Sequence, residues 1–160
     1  MLTEICAYLK NYFLVDYANV DKRIYIGTFQ IASGKIQALP FLIDGQHYRI
    51  VGSVFNDGVW EYHSPENVPE GAPQLRDETF DGAIWAMSIP PDVLSLANDI
   101  SAWVTANSSA VNSPYQSESF GGYSYTIKSG SGSGGSGSDN YDWRDQFADR
   151  LAPYRRLSVL

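Results

Sequence analysis

His47 and His63 are the two histidines of this chain, Cys6 is its one cysteine, and Asp77, Glu78 and Asp81 form its densest carboxylate group. These residue types serve acid–base catalysis, metal ligation and nucleophilic attack. Their spacing supports none of the three. Neither histidine sits in an HExxH pattern or a Cys/His cluster, so both read as polar surface near strands. Asp77, Glu78 and Asp81, in RDETFDG, fit no EF-hand loop. Paired carboxylates there would be the material of a hydrolase, against a plainer reading as a solvated turn in which Asp81-Gly82 bends the chain into a strand. Cys6 beside an apolar helix face reads as a small packed residue, and alone it excludes an internal disulfide. GxGxxG spacing falls only within the Gly/Ser tract (Gly130–Gly135 and Gly132–Gly137), which lacks the flanking strand and helix of a phosphate loop, and no GxxxxGK[ST] or GxSxG occurs. The expectation is a non-enzymatic chain with no catalytic, metal or cofactor-binding residue and no cofactor.

With 160 residues, 44% hydrophobic and 14% aromatic, the chain has material for one core with appendages. Its 18% charged content lies below the roughly 25% of an ordinary soluble domain. Charge-poor, aromatic-rich surfaces suit interfaces. The net charge of −7 disfavours tight nucleic-acid binding, which draws on clustered Lys and Arg, yet suits a wall past which DNA slides. No apolar run is long enough to span a bilayer, and MLTEICAYLKNYF has charges inside its apolar pattern, unlike a signal peptide. A cytosolic protein with no membrane partner is expected.

The periodicity predicts an α+β chain. A short N-terminal helix over 3–14 carries Ile5, Tyr8, Leu9, Tyr12 and Phe13 on one face, with Thr3 placed to cap it. From Arg23 the period becomes two, and a β-rich insertion over about 23–89 follows. Asp44-Gly45 between Phe41–Ile43 and Gln46–Phe55 predicts one hairpin, Asn56-Asp57-Gly58 a second, and Gly82–Ile89 a final strand. Together these read as a small antiparallel barrel-like region, closure being the way a small sheet loses its edges. A second helix over 90–107 begins at Pro90-Pro91 with a stripe of Val93, Leu94, Ala97, Ile100 and Val104. Residues 1–110 are thus read as a core domain. Residues 111–160 are read as an extended arm, a Gly/Ser linker over 128–140 and a C-terminal docking helix capped at Asp139-Asn140, carrying Trp143, Phe147 and Leu151 and stopped by Pro153.

Tyr48, Phe55, Trp60, Tyr62 and Trp85 are aromatic residues in or beside the predicted strands. Core filling is the first reading; the alternative is a binding module whose barrel recognises a glycan or peptide through Trp60, Tyr62 and Trp85. The arm SPYQSESFGGYSYT, Ser113 to Thr126, has no helical stripe. Extended, its roughly fourteen residues reach about 45 Å at about 3.3 Å each. Tyr115, Phe120, Tyr123 and Tyr125 are anchors of large area and few rotors, and Gly121-Gly122 permits close approach or a bend. Arg150, Arg155 and Arg156 with Tyr154 offer pairing to acidic groups on a partner or to the helix's own end.

The order of short helix, second helix, S-E-S-F-G-G-Y-S-Y-T (Ser117–Thr126) and L-A-P-Y-R-R-L (Leu151–Leu157) is similar to the head-tail connector, or adaptor, proteins of tailed bacteriophages and prophages. The likeness runs over Ile89–Leu157 and into the first helix; the β-rich region departs from the nearly all-helical simpler members. It implies a virion protein, made in the bacterial host cytoplasm, that forms a ring of about twelve copies under the portal. Its partners would be itself, the portal protein, and a tail-side connector or tail terminator, with genomic DNA passing through without sequence-specific binding. Ser117, Glu118, Ser119, Gly121, Gly122, Tyr123 and Tyr125 would belong to the arm, and Leu151, Pro153, Tyr154, Arg155, Arg156 and Leu157 to the docking tail.

Overall fold

The structure is a computed structural model that describes residues 1–15, 23–107, 117–120, 123–126 and 142–156. Helix α1 (Leu2–Leu9) leads into strands β1 (Ile24–Ala32), β2 (Lys35–Ile36), β3 (His47–Val51), β4 (Gly58–Glu61) and β5 (Glu78–Ala86). Helix α2 (Pro91–Ala106), strands β6 (Ser117–Phe120) and β7 (Tyr123–Thr126), and helices α3 (Trp143–Gln146) and α4 (Ala148–Leu151) follow, with a 3-10 turn over Ala152–Tyr154.

β1 to β5 form one antiparallel sheet in the order β2-β1-β5-β3-β4, curled into a half-barrel. The expected α+β architecture is therefore present. Cross-strand partners share a face, so the register stacks Phe29 on Phe80 and Tyr25, Ile84 and Ile50 in one row. Phe29, Phe80, Ile84 and Ile50 are buried. β3 and β5 approach closely at Gly82, where an added Cβ would sit 2.1 Å from the carbonyl oxygen of Val51. Only glycine lets β3 and β5 approach there.

The half-barrel's two edge strands are short, and the loop 64–77 bridges the seam between them. Lys35 Nζ donates to Pro65 O at 3.1 Å, Leu75 N to Gly34 O at 3.1 Å, and Gly34 N to Asp77 Oδ1 at 2.8 Å. On the opposite edge the amide of Val59 is met by Thr3 Oγ1 at 2.9 Å. Both edges are thereby partly satisfied from outside the sheet, a common device against edge-to-edge pairing.

Several boundaries differ from the sequence expectation. Thr3 does not cap α1, because its hydroxyl serves β4 instead. The helix stops at Leu9, where Lys10 turns left-handed (φ 53°) and its amide and that of Asn11 close back on Ala7 and Cys6. Residues 13–15 then run along β5: Val15 N donates to Ala86 O and Ser88 N to Phe13 O. Phe41–Ile43 is a turn rather than a strand, cut by Pro40, which has no N–H to give a ladder. Asp44 holds that turn to the next loop through Ser64 N and Asn67 Nδ2; those bonds, the backbone one foremost, keep its carboxyl below the usual range. β5 starts at Glu78, not Gly82, so Glu78 and Asp81 are strand residues while Asp77 ends the preceding loop.

The helices make a second layer. Ile5, Leu9, Leu96, Ala97 and Ile100 form an apolar cluster joining α1 to α2, beside the barrel interior. α2 spans its predicted range to within one residue at each end, with Pro at its start. Among the described residues no helix is long and apolar enough to cross a membrane.

Candidate functional site

The residues singled out for acid–base chemistry are dispersed. Asp77 is bound by Gly34 N, Asp81 accepts from Thr28 Oγ1, and Glu78 accepts from Ser53 Oγ and Asn56 Nδ2. Glu78 pairs in register with Ile31 and Asp81 with Thr28. Three steps along β5 puts them on opposite faces, so they are no catalytic pair. Burial alone would raise the Glu78 carboxyl, but hydrogen bonds from Ser53, Asn56 and the Val54 amide hold it below its ordinary value. Burial lifts the Cys6 thiol to about 11, which leaves it a protonated packing residue.

The strand aromatics do not share a face either. Trp60 is paired with Tyr48 and Ala86, whereas Trp85 lies in the next row with Arg49 and Val59, pointing the other way. Tyr48 and Tyr62 are core residues in edge-on contact at 6.0 Å, and Phe55 lies under the Arg76 guanidinium. Trp60, His47 and His63 do border a cleft of about 280 Å³ along the barrel seam. His63 Nε2 is 3.6 Å from Glu61 Oε1, and burial lowers the His47 pKa.

The C-terminal segment departs most from expectation. The docking helix is folded onto its own protomer. Trp143 and Leu151 are 7% and 1% exposed in the cluster formed by α1 and α2, so both are core residues and not a free interface. Trp143 meets Tyr8 edge-on at 5.6 Å, and Phe147 meets Trp103 at 6.3 Å. Arg150 Nη2 bonds Asp99 Oδ2 of α2 at 2.7 Å. The helix cap is Asp142, whose Oδ1 accepts from Arg144 N at 2.9 Å, rather than Asp139-Asn140. Past Pro153 the chain lies against the end of α1: Asn11 Nδ2 donates to Tyr154 O and Arg156 N to Leu9 O, both at 3.0 Å. These are backbone attachments, and the Arg155 and Arg156 side chains are exposed.

Those attachments complete a second cleft, of about 600 Å³. Its cations are Lys10, Arg23, Arg155 and Arg156, and no carboxylate of the described residues lines it. Its aromatic wall comes from Tyr12, Phe13, Trp85 and Tyr154. Arg49 stiffens that wall, its guanidinium carbon lying 4.0 Å from the Tyr12 ring centre and 4.7 Å from that of Trp85. The sequence reading placed Arg155, Arg156 and Tyr154 at a partner surface but missed the other half of the cleft. Lys10, Arg23 and Trp85 are far apart in the chain, and only the exit of residues 10–15 from α1 along β5 brings them together.

The arm is a hairpin, not one extended strap. Ser117 pairs with Thr126, Glu118 with Tyr125, Ser119 with Ser124 and Phe120 with Tyr123, in a two-stranded sheet distinct from the half-barrel. The signal was present in the sequence, since Gly-Gly between alternating runs marks a two-residue hairpin turn. Tyr115, Gly121, Gly122 and Leu157 lie outside the described residues, as does the Gly/Ser tract. Comparison with protein-family models, curated proteins and solved structures gives no match to this chain.

Proposed function

We propose that this chain is a non-enzymatic structural subunit of a phage or prophage head-tail connector, a virion protein that assembles as a ring under the portal and presents a platform to the tail. The single observation that carries the reading is the hairpin of Ser117–Phe120 and Tyr123–Thr126, which stands as a sheet of its own between two helices of one packed layer. A lone two-stranded hairpin is marginal in water and needs another surface to be held. The sequence likeness of SESFGGYSYT and LAPYRR to connector proteins gives that need its context. The net charge of −7 suits a lumen through which DNA must slide without sticking.

The C-terminal helix enters this reading in a new role. It clamps the far end of the arm to the core through Trp143 and Leu151, leaving the hairpin as the contact element. The experiment is therefore a replacement confined to 117–126, because removing 113–160 would also strip two core side chains. Light scattering on the full chain and on a variant with Gly/Ser in place of 117–126 should show an assembly for the first and a folded monomer for the second. Assemblies of equal mass would contradict a contact role for the arm.

The glycan- or peptide-binding alternative keeps one supporting observation, the 280 Å³ seam cleft with Trp60 at its border. The opposite facing of Trp85 and the burial of Tyr62 leave Trp60 alone of the three aromatic residues that reading relied on.

A further inference from the structure

We infer that the cationic, aromatic cleft beside the end of α1 is the receptor for the β6–β7 hairpin of a second copy of this chain, an inference that rests on the connector reading and names its contact. The hairpin's register carries the first half of the argument. Direct antiparallel partners share a face and neighbours along a strand alternate. Glu118, Phe120, Tyr123 and Tyr125 therefore occupy one face, and Ser117, Ser119, Ser124 and Thr126 the other. One face is aromatic with a single carboxylate, and the other consists of hydroxyl residues throughout.

The cleft carries the second half. Three exposed cations, Lys10, Arg155 and Arg156, border it in a protein of net charge −7. Such a concentration attracts an acidic ligand, and rings beside it favour one that is also aromatic. The same sequence supplies that combination on one face of the hairpin. Three aromatic side chains bury about 150–250 Å² each, so seating that face covers on the order of 450–750 Å², near the roughly 800 Å² per partner of a stable interface. Arm into cleft is a heterologous contact, each copy giving one surface and receiving the other, which is the kind that closes into rings.

The test uses two full-length variants. Glu118→Lys/Phe120→Ser spoils the arm and keeps the cleft. Arg155→Glu/Arg156→Glu spoils the cleft and keeps the arm; the hydrogen bonds that tie 154–156 to the end of α1 are made by its backbone, and the Arg155 side chain adds only an approach of 5.5 Å to the Tyr8 ring centre, so its melting curve should stay close to the parent's. Sedimentation velocity should show the parent assembling, and each variant alone weakened by about tenfold or more. Mixing the two restores one good contact and should give heterodimers that grow no further. Raising salt from about 0.05 to 0.5 M should weaken the parent's assembly, as screening of the cleft demands. Variants that assemble like the parent, or a mixture that stays monomeric because each arm fills its own cleft, would overturn the inference and leave the connector reading standing. A monomeric parent that still binds portal does the same, whereas a monomeric parent that ignores portal removes both.

Discussion

Asn56 shows how single side chains set the shape of the half-barrel. It is 1% exposed, its Nδ2 donates to Arg76 O and Glu78, its Oδ1 accepts from Arg76 N, and its own amide bonds Ser53 Oγ. Replacing it by Ala removes the side-chain bonds to Arg76 and Glu78 and keeps the backbone bond to Ser53, at about 1–3 kcal/mol for each group left buried without a bond. The Asn56→Ala urea midpoint should fall accordingly with an unchanged m-value. His47 gives a pH signature. Burial lowers its pKa below the ordinary 6.5, so between those two values the unfolded chain binds the proton that the folded chain refuses. Stability is then full above pH 6.5 and declines as pH falls toward the depressed value. Urea midpoints at pH 8 and pH 5.5 should differ in that sense, and His47→Gln should narrow the gap. Neither role was legible from the sequence, where Asn56 read as a turn residue and His47 as surface. The side-chain partners of Asn56 lie twenty and twenty-two residues away, and the burial of His47 comes from tertiary packing.

At the scale of elements, periodicity located the parts and tertiary bonds moved their ends. α2, with a wide apolar stripe and Pro at its start, lies where its sequence places it. α1 does not, because Thr3 is taken by β4 and Phe13 by β5, contacts that no local pattern encodes. The Trp143, Phe147, Leu151 stripe was legible as an amphipathic helix, but which surface it covers was not. Its own protomer supplies that surface, so Leu151→Ala should destabilise the isolated chain by about 2–5 kcal/mol, read as a lower melting temperature at any protein concentration. A helix that docked only on a partner would leave the melting temperature of the monomer untouched. Gly82→Ala should cost stability as well, since the new Cβ meets the Val51 carbonyl.

For the whole molecule, the half-barrel and the helical layer read as a rigid base to which the hairpin is added, and the charge is divided in a useful way. In the proposed assembly the net charge of −7 disfavours nucleic-acid binding, and the basic cleft is the seat proposed for an acidic face. The carboxylates of β5 are tied into separate hydrogen bonds, and the strand aromatics divide between two faces. The most direct measurement is the mass, by light scattering, of the full chain incubated with portal assemblies. The account predicts a discrete complex containing many copies of this chain per portal ring, lost when 117–126 is replaced by Gly/Ser. A chain that stays monomeric and leaves the portal's mass unchanged at high micromolar concentration would contradict it.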